Sequence, residues 1–172
     1  MKKIVFVLSF LVLFVGTGFA QYPKIGPAEP NEELVTFVKE LSKSWTLFAK
    51  NLDKETVLKY YDKDVTLTEA DCADVPGGTY ESEYYNTLSS TLDEMSESFA
   101  LNQAGFLYKV VKVNDAKVFG DIGYISCRRE YTISDPTGSI IMEEEATLVV
   151  SKKSGTWKVI HCQNFSYSPD RG

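Results

Sequence analysis

Histidine and cysteine are scarce in this sequence: one of the first and three of the second in 172 residues. Zinc sites draw most of their ligands from those two residue types. Cys72, Cys127 and Cys162 show no metal-ligand spacing, so no metal is expected. The three thiols are also too few and too scattered for a disulfide framework. A bridge from Cys72 to either of the others stays open, with one cysteine left over. Basic residues are outnumbered, 18 Lys and Arg against 24 Asp and Glu, for a net charge of −6. An acidic chain without a basic patch repels nucleic acid and anionic lipid, so neither is expected as a partner. No nucleotide-binding glycine loop, Ser-His-Asp set or Cys-His pair is present, and no cofactor is expected.

Only one long apolar run occurs, at the N-terminus. In "MKKIVFVLSFLVLFVGTGFA", Lys2 and Lys3 precede an apolar stretch from Ile4 to Val15, and Gly18 and Ala20 supply small residues at −3 and −1. The run is too short to span a bilayer, which takes about 20 such residues. It reads as a secretory signal, so residues 21–172 are expected to be exported, periplasmic or secreted, and not membrane-embedded after cleavage. Removing Lys2 and Lys3 with no acid moves the charge balance from −6 to −8.

Residues 21–30, rich in proline, form a flexible lead-in to a single domain over 31–169. Leu34, Phe37, Val38, Leu41, Trp45, Phe48 and Leu52 recur at three- and four-residue steps, the stripe of an amphipathic helix. Asp53 is suited to cap a shorter helix reaching Tyr61. "DKDVTLTEA" turns strand-like and "DCADVPGGT" is a loop. A third helix is expected over Glu81–Phe99, with Tyr84, Tyr85, Leu88, Leu92, Met95 and Phe99 inward. After Gly105 the pattern is four strands, separated by turns at Asn114-Asp115, at Asp135-Pro136-Thr137-Gly138 and at Ser154-Gly155. Helices followed by an antiparallel meander imply an α+β domain, with the helices laid on one face of a strongly curved sheet.

The turns set a register. Closing the second at Ser134/Ser139 places Arg129 opposite Glu144, Cys127 opposite Ala146 and Ile125 opposite Leu148. Closing the third at Lys153/Thr156 places Leu148 beside His161 and Ala146 beside Gln163. The helix-covered face then collects Arg129, Tyr131, Glu144, His161 and Gln163 among apolar neighbours, and sends Cys162 and Asn164 outward. Cys127 and Cys162 fall on opposite faces and are not expected to pair. Alternation also splits "MEEEA", with Glu143 and Glu145 outside and Glu144 inside, so these acids cannot converge on one ion.

"KYYDKDVTL" after the second helix, "FGDIGYIS" and the final hairpin "KKSGTWKVIH" together resemble the nuclear transport factor 2-like superfamily, in its SnoaL-like bacterial branch. The resemblance covers nearly all of residues 21–172. It implies a cystatin-like cone, a curved antiparallel sheet covered on its concave face by three N-terminal helices, with a pocket between sheet and helices. Such folds host isomerases, cyclases and dehydratases as well as binding and assembly domains. Relatives of ketosteroid isomerase place a general-base carboxylate near the position of Glu69 and Asp71, but no motif here matches theirs. Their tyrosine donor on the first helix has no counterpart either; Trp45 sits where that helix faces the cavity.

His161, whose type titrates near neutrality, is the candidate general acid or base, or else a packed structural histidine. Arg129 with Glu144 forms either a ligand clamp, arginine's fork meeting a carboxylate, or a structural ion pair. The leading expectation is an exported small-molecule-binding domain whose pocket is lined by Trp45, Arg129, Tyr131, Glu144, His161 and Gln163. The alternatives are a proton-transfer enzyme using His161 or an acid near Glu69, and a homodimeric interaction module using the outer sheet face.

Overall fold

Asn31 opens the first helix: its side-chain carbonyl accepts the Leu34 amide at 3.1 Å, and Glu32 and Glu33 complement the positive end of the helix. This helix, α1 (Glu32–Asn51), buries Leu34, Phe37, Val38, Leu41 and Phe48, as its periodicity requires. Leu52 ends it in the left-handed conformation, φ 57°, with its amide bonded to the Phe48 carbonyl. Leu52 is therefore a cap and not the next core residue of the stripe. A single turn, α2 (Glu55–Leu58), follows, with the Asp53 carboxylate accepting the Glu55 amide.

The computed structural model describes residues 29–71, 79–102 and 104–167; the side chains of 69–71, 79–86 and 167 lie outside that description. The expected signal, most of the lead-in and Cys72 lie outside the described residues too. The remaining elements are β1 (Tyr61–Asp71), β2 (Thr79–Tyr84), α3 (Tyr85–Asn102), β3 (Gly105–Phe119), β4 (Ile122–Asp135), β5 (Gly138–Ser151) and β6 (Lys158–Tyr167). Among the described residues the architecture is α+β: one open, curved sheet of six strands in the order β2-β1-β6-β5-β4-β3, with the three described helices contributing to one core.

Several expectations are corrected. The sheet is mixed, because β1 runs parallel to β6 and joins the meander through it. Residues 79–84 form β2, antiparallel to β1, so α3 starts at Tyr85 and not at Glu81. Strand β3 does not turn at Asn114-Asp115. There it only bulges, and the reversal comes at Gly120-Asp121. A two-residue loop needs a positive φ at its first central position, and Gly120 supplies 61°. Two bulges along β3, together with Lys109, Lys112 and Lys117, blunt this edge strand against pairing with other chains.

The β4–β5 register is the expected one, with Ser134 opposite Ser139 and Arg129 opposite Glu144. The Asp135 carboxylate holds this turn by accepting the Thr137 and Gly138 amides. Between β5 and β6 the expected register holds for Ser151/Lys158 and Val150/Val159, and then a bulge intervenes. One extra residue, Ile160, shifts every later pair: Val149 meets His161, Leu148 meets Cys162 and Ala146 meets Asn164. Because side chains alternate with period two, a single inserted residue exchanges the two faces from that point on. His161 and Gln163 therefore belong to the outer face, while Cys162 and Asn164 face the helices. Cys127 and Cys162 share the inner face, contrary to expectation. They remain free thiols, since the β5 strand lies between them.

Gly123, just after the hairpin loop, marks the tightest helix–sheet approach. A Cβ there would come 2.7 Å from Val150 Cγ2 and 2.8 Å from Leu34 Cδ2, both in fully buried side chains. Gly123→Ala is expected to lower the stability by about 1–3 kcal/mol through overpacking. Gly138→Ala, which meets open space, should stay within about 0.5 kcal/mol. Urea midpoints at unchanged slope check both values.

Candidate functional site

Along β4 the inward positions run Gly123, Ile125, Cys127, Arg129, Tyr131 and Ile133. The first three pack in the core; from Arg129 onward the same row lines a cavity of about 270 Å³. On β5 the matching change comes at Glu144, beyond Val150, Leu148 and Ala146. Arg129 is 2% exposed and Glu144 3%, so the pair is desolvated on every side. Arg129 Nε lies 2.8 Å from Glu144 Oε2, a charge contact without hydrogen-bond alignment. A buried charge persists only with its counter-charge and further polar partners, and both residues have them.

Those partners come from two other strands. Asn164 of β6 turns its carbonyl oxygen to Arg129, accepting from one terminal nitrogen at 2.8 Å and from the Cys162 thiol at 3.0 Å. Arginine carries no acceptor, so the amide must face it oxygen first. Tyr108 of β3 donates its hydroxyl to Glu144 Oε2, and its ring lies under the guanidinium, 5.0 Å from centroid to Cζ. The backbone of Tyr108 is in turn fastened to α1, its amide donating to Thr46 Oγ1 at 2.8 Å and its carbonyl accepting from the same hydroxyl at 3.3 Å. Thr46 thereby sets the height of α1 over the sheet. From β1, the Tyr61 hydroxyl accepts the Trp45 indole N–H at 3.4 Å.

The remaining wall is mostly apolar, with Thr68 and Thr91 the exceptions. Trp45 stands edge-on to Tyr108, and Phe106 and Tyr131 stack obliquely beside it. Leu88 and Met95 of α3 and Leu67 of β1 close the opposite side. Burial first, then Glu144, holds the Tyr108 phenol well above its usual range, with Arg129 opposing. Burial likewise raises Tyr61. Burial works against the Arg129 charge, but Glu144, Tyr108 and the two cysteines outweigh it. The thiols of Cys127 and Cys162 are pushed up by burial, to about 11 and about 12.

Of the candidate residues, Trp45, Arg129, Tyr131 and Glu144 converge on this cavity; His161 and Gln163 do not. The bulge at Ile160 is the reason, and Cys162 and Asn164 take the places assigned to those two. Glu69 and Asp71 lie on β1, where the backbone alone is described. Tyr61, Tyr108, Cys162 and Asn164 were missed as site residues. Alternation in "GFLYKVVKV" carries a signal for Tyr108, since Phe106, Tyr108 and Val110 share one face. Among the described residues no group of His, Cys, Asp and Glu can hold a metal ion, and no helix is long and apolar enough to cross a membrane.

Solved structures share this arrangement of helices over an open sheet. One is an NTF2-like protein with a cystatin-like fold from Novosphingobium aromaticivorans, at TM-score 0.58 and 12% identity over 82% of this chain and 84% of that one. The fold is NTF2-like. The beta subunit of the benzoate 1,2-dioxygenase from Burkholderia mallei matches at TM-score 0.64 and 9% identity, over 79% of this chain and 89% of that one. A ketosteroid isomerase-like protein from Erwinia carotovora atroseptica matches at 0.51 and 19%, over 81% and 99%. No protein-family model and no curated protein matches the sequence. At these identities the likeness is one of fold alone, and the chemistry of this NTF2-like domain must come from its own cavity.

Two outcomes follow from the buried groups. Arg129→Met strands Glu144 without its counter-charge and should cost about 3–5 kcal/mol. Adding Glu144→Met should recover most of that loss, and a double-mutant cycle in urea reads the coupling. Both thiols bind their protons more tightly in the folded chain than at their ordinary 9.0. Their contribution to stability is therefore complete below pH 9 and is lost as pH rises through about 11 and about 12. Urea midpoints should fall above pH 9, and iodoacetamide at pH 8 should label Cys127 and Cys162 only after unfolding.

Proposed function

We propose that this chain is an exported domain that binds a small molecule in the cavity between α1, α3 and the sheet. One observation carries the reading: a recess of about 270 Å³ has apolar walls and a floor of buried polar groups that already hold one another in place. Such a combination, mostly apolar with a few fixed polar groups, is what small-ligand sites look like. Export rests on the N-terminal stretch from Lys2 to Ala20, and the motifs resembling the SnoaL-like branch support the domain assignment.

A proton-transfer role has less support. His161 lies on the other face of the sheet. Glu144, the one carboxylate among the described lining residues, is engaged by Arg129 and Tyr108. The outer face, where Tyr124 and Val149 sit opposite each other among the charged pairs Lys109–Glu130 and Arg128–Glu143, supports self-association into a homodimer.

Filling the cavity separates binding from folding. Leu88→Trp should abolish retention of any co-purified small molecule while circular dichroism is kept, and His161→Ala should leave retention unchanged. The reverse pattern, loss with His161→Ala and none with Leu88→Trp, contradicts the proposal. Edman sequencing of the exported protein should begin at Gln21.

A further inference from the structure

The charges inside the cavity cancel. Among its described lining residues there is one cation, Arg129, and one anion, Glu144, in contact with each other. The other titratable groups there, Tyr61, Tyr108, Tyr131 and Cys162, are phenols and a thiol, which are uncharged at neutral pH. The guanidinium is also committed: Nε lies against Glu144, one terminal nitrogen donates to Asn164, and the flat face rests on the Tyr108 ring. An entering carboxylate would make the site net negative inside a low-dielectric wall and would have to compete with Glu144 for Arg129. The chain as a whole, at −6, adds repulsion of the same sign. Donors are left over, among them the Tyr61 hydroxyl. The Tyr61 hydroxyl accepts from Trp45, and no described group accepts its proton.

Resting on the cavity as the binding site, we infer that its ligand is an uncharged, largely apolar molecule carrying an oxygen acceptor, and that Glu144 is the residue that excludes carboxylates. Tyr61 supplies the hydrogen bond to the acceptor. Glu144 acts by occupying the one cation that an anionic ligand would need. The resulting selectivity is the opposite of an arginine clamp.

The test uses three matched pairs: the amides and carboxylates of phenylacetic, 2-naphthoic and indole-3-acetic acid, titrated against the full exported protein by ligand-observed NMR at pH 7. The wild type should bind the amide of a pair at least about tenfold more tightly than its carboxylate, a like-charge penalty expected for an anion beside Glu144. Glu144→Gln should move that ratio at least about tenfold toward the carboxylate. Tyr61→Phe should weaken the amide about tenfold, the usual effect of losing one buried donor, while the chain stays folded. The wild-type ratio needs no variant and stands even if Glu144→Gln does not fold. Carboxylates bound as tightly as amides by the wild type, or an unmoved ratio in folded Glu144→Gln, overturns the inference and leaves the cavity as a binding site. No binding of any of the six overturns the binding-site reading and this inference with it.

Discussion

A guanidinium placed in the middle of a sheet and sealed from water decides how the rest of this structure is arranged. Arg129 cannot be neutralised by losing its proton, so burial requires a carboxylate beside it and acceptors around it. Glu144 is supplied by the neighbouring strand at the one register that puts the two side chains opposite each other. Asn164 has to be inward for the same reason, and it is inward only because β6 bulges at Ile160. An orderly β6 would have turned the Asn164 carbonyl outward and put the Gln163 and His161 side chains in the interior. The bulge is thus tied to the charge it serves.

The same pair marks where packing stops. On one side of it Ile125, Cys127, Ala146 and Leu148 are buried in the same core as the α1 side chains; on the other the strands carry rings and the space is left open. Removing the pair in favour of apolar side chains would not by itself weaken the fold, since buried ion pairs seldom repay their desolvation. Its presence is therefore better understood from the cavity it borders than from stability. Tyr108 connects the two roles: it donates to Glu144, lies under Arg129, and is pinned to α1 through Thr46. Helix position and the polar floor are consequently set by one residue.

Much of this was legible from residue order. The α1 stripe from Leu34 to Phe48, the α+β class and the Arg129–Glu144 pairing follow from periodicity and from one well-marked turn at Asp135–Gly138. What escaped was local backbone geometry. The bulge at Ile160 involves no glycine or proline, and the pairs on its near side, Ser151/Lys158 and Val150/Val159, are the ones an unbroken ladder would give. Nothing in "WKVIHCQNF" distinguishes a strand that keeps its alternation from one that slips by a residue, because polar and apolar side chains occur on both sets of positions. Asn114-Asp115 misled in the opposite sense: a strong turn pair was absorbed as a bulge, since Gly120 could take the positive φ that a two-residue reversal needs. The parallel joining of β1 to β6 is non-local and leaves no mark in either strand.

A binding cavity should be occupied in the protein's own setting. Native mass spectrometry of the protein, purified gently from the cells that make it, measures this directly. One non-covalently held molecule per chain, uncharged at neutral pH and released on gentle activation, is the predicted result. A population carrying only the bare chain mass, unchanged when the protein is re-exposed to the small-molecule extract of the same cells, would contradict it.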